Sequence, residues 1–152
     1  MIDIKLLEQL CLCNGISGDE GNVRNLIINE IKDCADDIKT DNLGNLIVFK
    51  KGKKSAKSKL MVSAHMDEVG LMVTDITSDG YLKFDEVGGI DRRVLPGKRV
   101  CIGRNGLNGV IGVKPIHLTN GDEKTAVPKM NDMYIDIGAE SREDALKYVN
   151  YG

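Results

Sequence analysis

At 152 residues, with 41% hydrophobic and 29% charged positions, the chain has the make-up of an ordinary globular protein, enough for one medium domain or two small ones. Its formal net charge of −2 gives no overall pull toward nucleic acid or an anionic membrane, and neither is expected as a partner. No run approaches the roughly 20 apolar residues of a membrane-spanning helix, and Met1-Ile2-Asp3-Ile4-Lys5 lacks the regions of a secretory leader, so a cytoplasmic location is expected.

Asp3 is placed to cap a first helix that carries Ile4, Leu7, Leu10 and Cys11 on one face and stops at Asn14-Gly15. Ser17-Gly18-Asp19-Glu20 reads as a capping box, Glu20 reaching back toward Ser17. A second helix then places Val23, Leu26, Ile27, Ile31 and Cys34 at helical spacing. Cys11, Cys13, Cys34 and Cys101 read as reduced, buried structural thiols, because they form no disulfide framework. Cys11 and Cys13 diverge by about 200° on a helix, which argues against a metal pair.

Beyond Ile38 the period shortens to that of strands. Ile38–Asp41 and Leu46–Lys50 flank the turn signal Asn42-Leu43-Gly44. Six lysines between Lys50 and Lys59, with no aromatic interleaved for base stacking, read as a solvated hairpin tip. Leu60–Ala64 is an unbroken apolar run, predicted as a strand buried on both faces. Further strands are predicted at Leu71–Ile76, Tyr81–Glu86, Arg99–Gly103, Gly109–Val113 and Met133–Ile137, with glycine-rich turns between them, suggesting a small antiparallel barrel or sandwich. Gly88-Gly89 reads as a tight turn in preference to an anion cradle. Thr119–Met130 is aperiodic and polar and reads as an exposed loop. Ser141 caps a last helix, Arg142–Val149.

The chemistry-bearing feature is Ala64-His65-Met66-Asp67-Glu68. Side chains two apart on a strand share a side, so His65 and Asp67 can face one site together. The imidazole then serves as a metal ligand and the carboxylate fixes its tautomer. Glu68 reads as a support for the loop and not as a catalytic group. His-x-Asp is a short pattern, and the weight lies in the ordered set around it. That set comprises Gly15-Ile16-Ser17-Gly18, Asp41-Asn42-Leu43-Gly44-Asn45-Leu46-Ile47 and Ala64 through Val73. It continues with Val87-Gly88-Gly89-Ile90-Asp91, Arg93-Val94-Leu95-Pro96-Gly97, Gly109 through Pro115 and Tyr134 through Ala139. Taken in order, it resembles the dinuclear-metal aminopeptidases of the glutamyl/tetrahedral family, some of which carry the label cellulase M or endoglucanase M.

The resemblance implies an α/β fold: residues 1–67 as the N-terminal part of an α/β metallopeptidase domain, and 68–152 as a small β-barrel-like dimerisation domain inserted into it, with a closing helix. It implies two divalent ions, zinc or cobalt, and a peptide substrate that loses its N-terminal residue to a metal-bound water. By the same resemblance His65 is a metal ligand and Asp67, at the catalytic site, the carboxylate that orients it. It also implies homo-oligomers formed through the β-domain. His117 belongs to the inserted-domain motif and is a candidate for reaching a neighbouring subunit's site.

The family's remaining ligands (a bridging Asp, a Glu-Glu pair, another Asp and a final His) would fall beyond Gly152. Asp85-Glu86 and Asp122-Glu123 lack the context of the Glu-Glu pair. These 152 residues alone are therefore expected to hold metal weakly or not at all and to be inactive. The alternative is a non-catalytic oligomerisation module derived from such an enzyme. Glycoside hydrolysis is disfavoured, because no suitably paired carboxylates can be identified.

Overall fold

A computed structural model describes residues 3–54, 57–115 and 127–151 of the chain. The chain divides into two compact units, Met1–Glu68 and Val69–Gly152.

In the first unit, α1 spans Ile4–Leu12. Extended Asp3 caps it, its carboxylate accepting from the Lys5 and Leu6 N–H groups at 2.9 and 3.3 Å. The second helix, α2 (Gly21–Ile31), starts later than the capping box implies. Gly18 sits at φ +94, and the Glu20 carboxylate accepts from the Gly18 N–H at 2.6 Å. With its side chain closing that turn, Glu20 flanks the helix without capping it. Cys34 falls beyond the helix and is exposed, as are Cys11 and Cys101, so the buried-thiol expectation fails for these three.

Strand β1 (Asp37–Thr40) pairs antiparallel with β2 (Leu46–Phe49), in register from Asp37↔Phe49 to Thr40↔Leu46. Asp41 closes the hairpin: its carboxylate accepts from the Leu43 and Asn45 N–H groups, both at 2.9 Å, and from the Asn45 side-chain amide. These bonds, led by the one from the Asn45 side chain, hold the Asp41 carboxyl below its ordinary pKa.

The predicted strand at Leu60–Ala64 does not form. The segment joins no ladder among the described residues, and Leu60, Met61 and Val62 are 91, 87 and 86% exposed. An apolar run becomes a buried strand only where other strands and a covering layer meet it, and no described residue supplies either. Val23 is the one buried apolar side chain described in this unit.

The second unit is built on one five-stranded sheet. Its strands are β3 (Gly70–Ile76), β4 (Leu82–Val87), β5 (Arg99–Ile102), β6 (Leu107–Val113) and β7 (Met133–Asp136), in the spatial order β3-β4-β7-β6-β5. Every neighbouring pair is antiparallel, and a register shift between Val73 and Asp75 marks a bulge in β3. Alternation supplies the core: Ile76, Leu82, Phe84, Ile111, Met133 and Ile135 are buried in one cluster with Leu95, Met130, Ala145 and Val149. Tyr81 and Tyr134 pack ring on ring with centroids 4.7 Å apart.

Residues 116–126, and with them His117 and most of the loop predicted at 119–130, lie outside the described residues. Met130 corrects that prediction, since it opens a short 3-10 turn (Met130–Asp132) and its apolar side chain is buried in the core. The last helix, α3 (Arg142–Ala145), is shorter than predicted, although turn bonds from Tyr148 and Val149 to the Ala145 carbonyl continue the coil. Ser141 caps it, accepting from the Asp144 N–H at 3.2 Å. The Arg142 guanidinium reaches the Ile76 carbonyl and, at 3.0 Å, the Asp75 carboxylate. These contacts tie the last segment to the end of β3.

Candidate functional site

His65, Asp67 and Glu68 follow the exposed run in the first unit. Without a strand beneath them, the period-2 argument is not what joins His65 to Asp67. The contact is local: the imidazole Nδ1 lies 3.0 Å from the Asp67 main-chain carbonyl and 3.1 Å from its carboxylate. A carbonyl oxygen and a carboxylate both accept, so Nδ1 carries the proton of the neutral ring and Nε2 presents its lone pair. The His65 side chain is 85% exposed and that of Asp67 41%. A contact so open to water orients the ring without contributing much stability.

Glu68 is tied back to the loop between α1 and α2. Its N–H donates to the Gly15 carbonyl at 2.8 Å, and its carboxylate accepts from the Gly15 N–H at 3.2 Å. A parallel bridge joins Ile16 to Glu68. Gly15 suits this approach because a Cβ there would meet Val23 Cγ2 at 2.6 Å and the Met66 carbonyl at 3.3 Å. The loop support expected of Glu68 thus has a definite partner. The partner itself was not legible in the sequence, since the two lie 53 positions apart and Gly15 also reads as a helix stop.

A two-ion centre needs several converging ligands. Among the described residues, no group of three or more His, Cys, Asp or Glu side chains is placed to hold a metal. His65 Nε2 fits the role of one ligand, and the described donor set does not fit a two-ion centre by itself.

Of the two acidic pairs, Asp122-Glu123 lies outside the described residues, and Asp85-Glu86 has structural partners. Glu86 accepts from Arg92 at 2.8 Å, an interaction that raises the Arg92 pKa. Asp91 binds the Arg93 guanidinium at 2.9 Å and also accepts from its N–H at 3.0 Å. The guanidinium first, and the N–H next, hold the Asp91 carboxyl down to about 2. Gly88, at φ +84, turns the chain where a Cβ would stand 2.9 Å from Val69 Cγ1, which is a packing reason for glycine. Among the described residues, no helix is long and apolar enough to cross a membrane.

Known proteins extend this picture. The family model described as M42 glutamyl aminopeptidase matches residues 44–152. A relative from Acetivibrio thermocellus is 48% identical over 147 residues, covering 97% of this chain and 42% of its own. The lysyl aminopeptidase of Pyrococcus furiosus is 36% identical over 149 residues, covering 95% of this chain and 42% of its own. Among solved structures, the Pyrococcus horikoshii TET1 peptidase, which can assemble into a tetrahedron or a large octahedral shell, is 46% identical with a TM-score of 0.83. That match covers 97% of this chain and 44% of the peptidase. The chain spans less than half the length of the relatives it matches. A family match over residues 44–152, together with these identities, establishes that the chain belongs to the M42 glutamyl aminopeptidase family.

Proposed function

We propose that this chain forms the N-terminal part of an aminopeptidase that hydrolyses single residues from the N-termini of peptides. The observation that carries the reading is the His65 ring, whose Nδ1 faces two Asp67 acceptors and leaves Nε2 available, in a chain of aminopeptidase lineage. In this reading His65 is a metal ligand and Asp67 its orienting carboxylate. Residues 1–67 belong to the α/β peptidase domain and 68–152 to an inserted dimerisation domain, in a cytoplasmic protein. The cofactor is a pair of divalent ions, zinc or cobalt, which when bound supplies Lewis acidity for peptide hydrolysis. The 152 residues alone offer one imidazole toward that pair, and weak metal binding and no activity are expected of them in isolation.

The test is a chimera. These residues replace the matching segment of the Pyrococcus furiosus lysyl aminopeptidase, and release of p-nitroaniline from lysyl-p-nitroanilide is followed alongside metal content. The chimera is expected to be active, and Asp67→Ala to lower activity by about 10–100-fold, as for other carboxylates that orient a ligating histidine. His65→Ala should lower both activity and metal content further. A folded chimera whose activity and metal content are indifferent to His65→Ala refutes the assignment. Turnover by the isolated chain would overturn the expected inactivity.

A second reading, an oligomerisation module without catalysis, draws on a specific asymmetry. Every buried apolar residue described except Val23 lies in the second unit. Self-association through this unit belongs to both readings, and it agrees with the assemblies of the Pyrococcus horikoshii peptidase. Sedimentation of the chain as a dimer or larger is expected, and a stable monomer counts against it.

A further inference from the structure

We propose that Glu68 and Gly15 form a positioning clamp that sets the tautomer of His65 by fixing the peptide plane between Asp67 and Glu68. The Asp67 carbonyl and the Glu68 N–H belong to one planar trans unit, so they point in opposite directions. The N–H donates to the Gly15 carbonyl at 2.8 Å, and on the other side of the same plane the Asp67 carbonyl lies 3.0 Å from His65 Nδ1. Rotating that peptide to release Gly15 would swing the carbonyl away from the imidazole. The Glu68 carboxylate adds a second attachment, accepting from the Gly15 N–H at 3.2 Å, and the two bonds together hold the plane against rotation. Buried Val23 stands beside Gly15, close enough that a Cβ there would meet its Cγ2 at 2.6 Å.

Glu68 therefore acts through His65 and needs no contact with substrate. Its chemical importance rests on the reading of His65 as a ligand, because only the tautomer protonated at Nδ1 offers Nε2 to a partner. The clamp itself is testable without activity.

The measurement is the ratio of the two neutral tautomers of His65, read from its imidazole 15N shifts in the full chain. A His117→Gln background leaves a single imidazole. Spectra are recorded at mildly alkaline pH, where imidazoles in general are neutral. Glu68→Leu, which removes the acceptor of the Gly15 N–H, is expected to shift the ratio about fivefold toward Nε2–H, the equilibrium weight of one ordinary hydrogen bond. Exchange of the Gly15 amide should accelerate by a similar factor. Glu68→Gln keeps the accepting oxygen and should restore both. An unchanged tautomer ratio alongside accelerated Gly15 exchange would make Glu68 a loop brace only and overturn the proposal.

If Glu68→Leu does not fold, Gly15→Ala decides the question. Its Cβ would stand 2.6 Å from Val23 Cγ2, so it should displace Gly15 and shift the tautomer in the same direction. Adding Val23→Ala should reverse the shift. A Gly15→Ala protein with the parent ratio refutes the clamp. A clamp-dependent tautomer in an inactive chimera would sink the aminopeptidase assignment and leave the clamp standing; an active chimera with an insensitive tautomer would do the reverse.

Discussion

Replacing Ile135 with Ala should cost far more than replacing Met61 with Ala, although both remove a large apolar side chain. Ile135 is 2% exposed at the centre of β7, with Leu82 opposite it on β4 and Ile111 on β6. It also lies over bare backbone, since a Cβ at Gly109 would come within 2.6 Å of Ile135 Cγ2. A backbone held in a ladder cannot move in to fill the space that truncation leaves. The cost should therefore fall in the upper part of the range for burying large-to-small changes, about 3–5 kcal/mol. Met61, 87% exposed, has little burial to lose, and its truncation should stay within about 0.5 kcal/mol. Urea unfolding followed by far-ultraviolet circular dichroism gives both values, measured at two protein concentrations because self-association adds its own stability. A cost below about 1 kcal/mol for Ile135→Ala, or equal costs for the two variants, would refute the placement of the core around β7 and the exposure of the Leu60–Ala64 run.

Two further tests address local chemistry. The Asp91 carboxyl, held down to about 2 from its ordinary 3.8 chiefly by the Arg93 guanidinium, favours the fold fully above 3.8 and loses that contribution as pH falls through about 2. In Arg93→Gln the Asp91 midpoint should move up toward 3.8 in a 13C titration, and an unmoved midpoint would break the attribution. Gly80→Ala and Gly103→Ala separate backbone strain from crowding. Both residues have positive φ, but a Cβ at Gly80 meets the Ala139 carbonyl at 2.8 Å and the Ser141 carbonyl at 3.0 Å, whereas at Gly103 it meets nothing within 4 Å. Gly103→Ala should cost about 1–2 kcal/mol from the left-handed backbone alone. Gly80→Ala should cost at least about 1 kcal/mol more. Equal losses by thermal unfolding would refute the crowding.

Features set by neighbours in sequence were legible before the structure. Asp3 needs only Lys5 and Leu6 to cap α1, and Asp41 needs only Leu43 and Asn45 to close the β1–β2 hairpin. The β-strands of the second unit followed from the sequence to within two residues of their observed ends, because side-chain period is a local property of extended backbone. Glu20 departs from the capping box because neighbouring N–H donors compete for one carboxylate, and the Gly18 N–H takes it. Leu60–Ala64 was misjudged for a different reason: apolar composition reports a readiness to be buried and says nothing of whether a partner is at hand. The clamp on Glu68 joins residues 53 positions apart, beyond any periodic signal. For the site itself, the pattern His-x-Asp located the pair, while the main-chain carbonyl that shares the imidazole proton emerged only from the folded backbone.

The strand order β3-β4-β7-β6-β5 has a kinetic consequence. β3 with β4, and β5 with β6, are each joined through a short connection and can zip as hairpins soon after both strands exist. Neither hairpin neighbours the other, and β7, last in sequence, lies between them. It meets β6 over four paired positions, Val110↔Asp136 to Val113↔Met133, but meets β4 at the single pair Leu82↔Ile135. On a ribosome emitting the chain from its N-terminus, two hairpins therefore wait with an edge open until Met133–Asp136 emerges to join them. Folding of this unit should be paced by that late, long-range closure, with the exposed hairpin edges its period of greatest risk of mispairing.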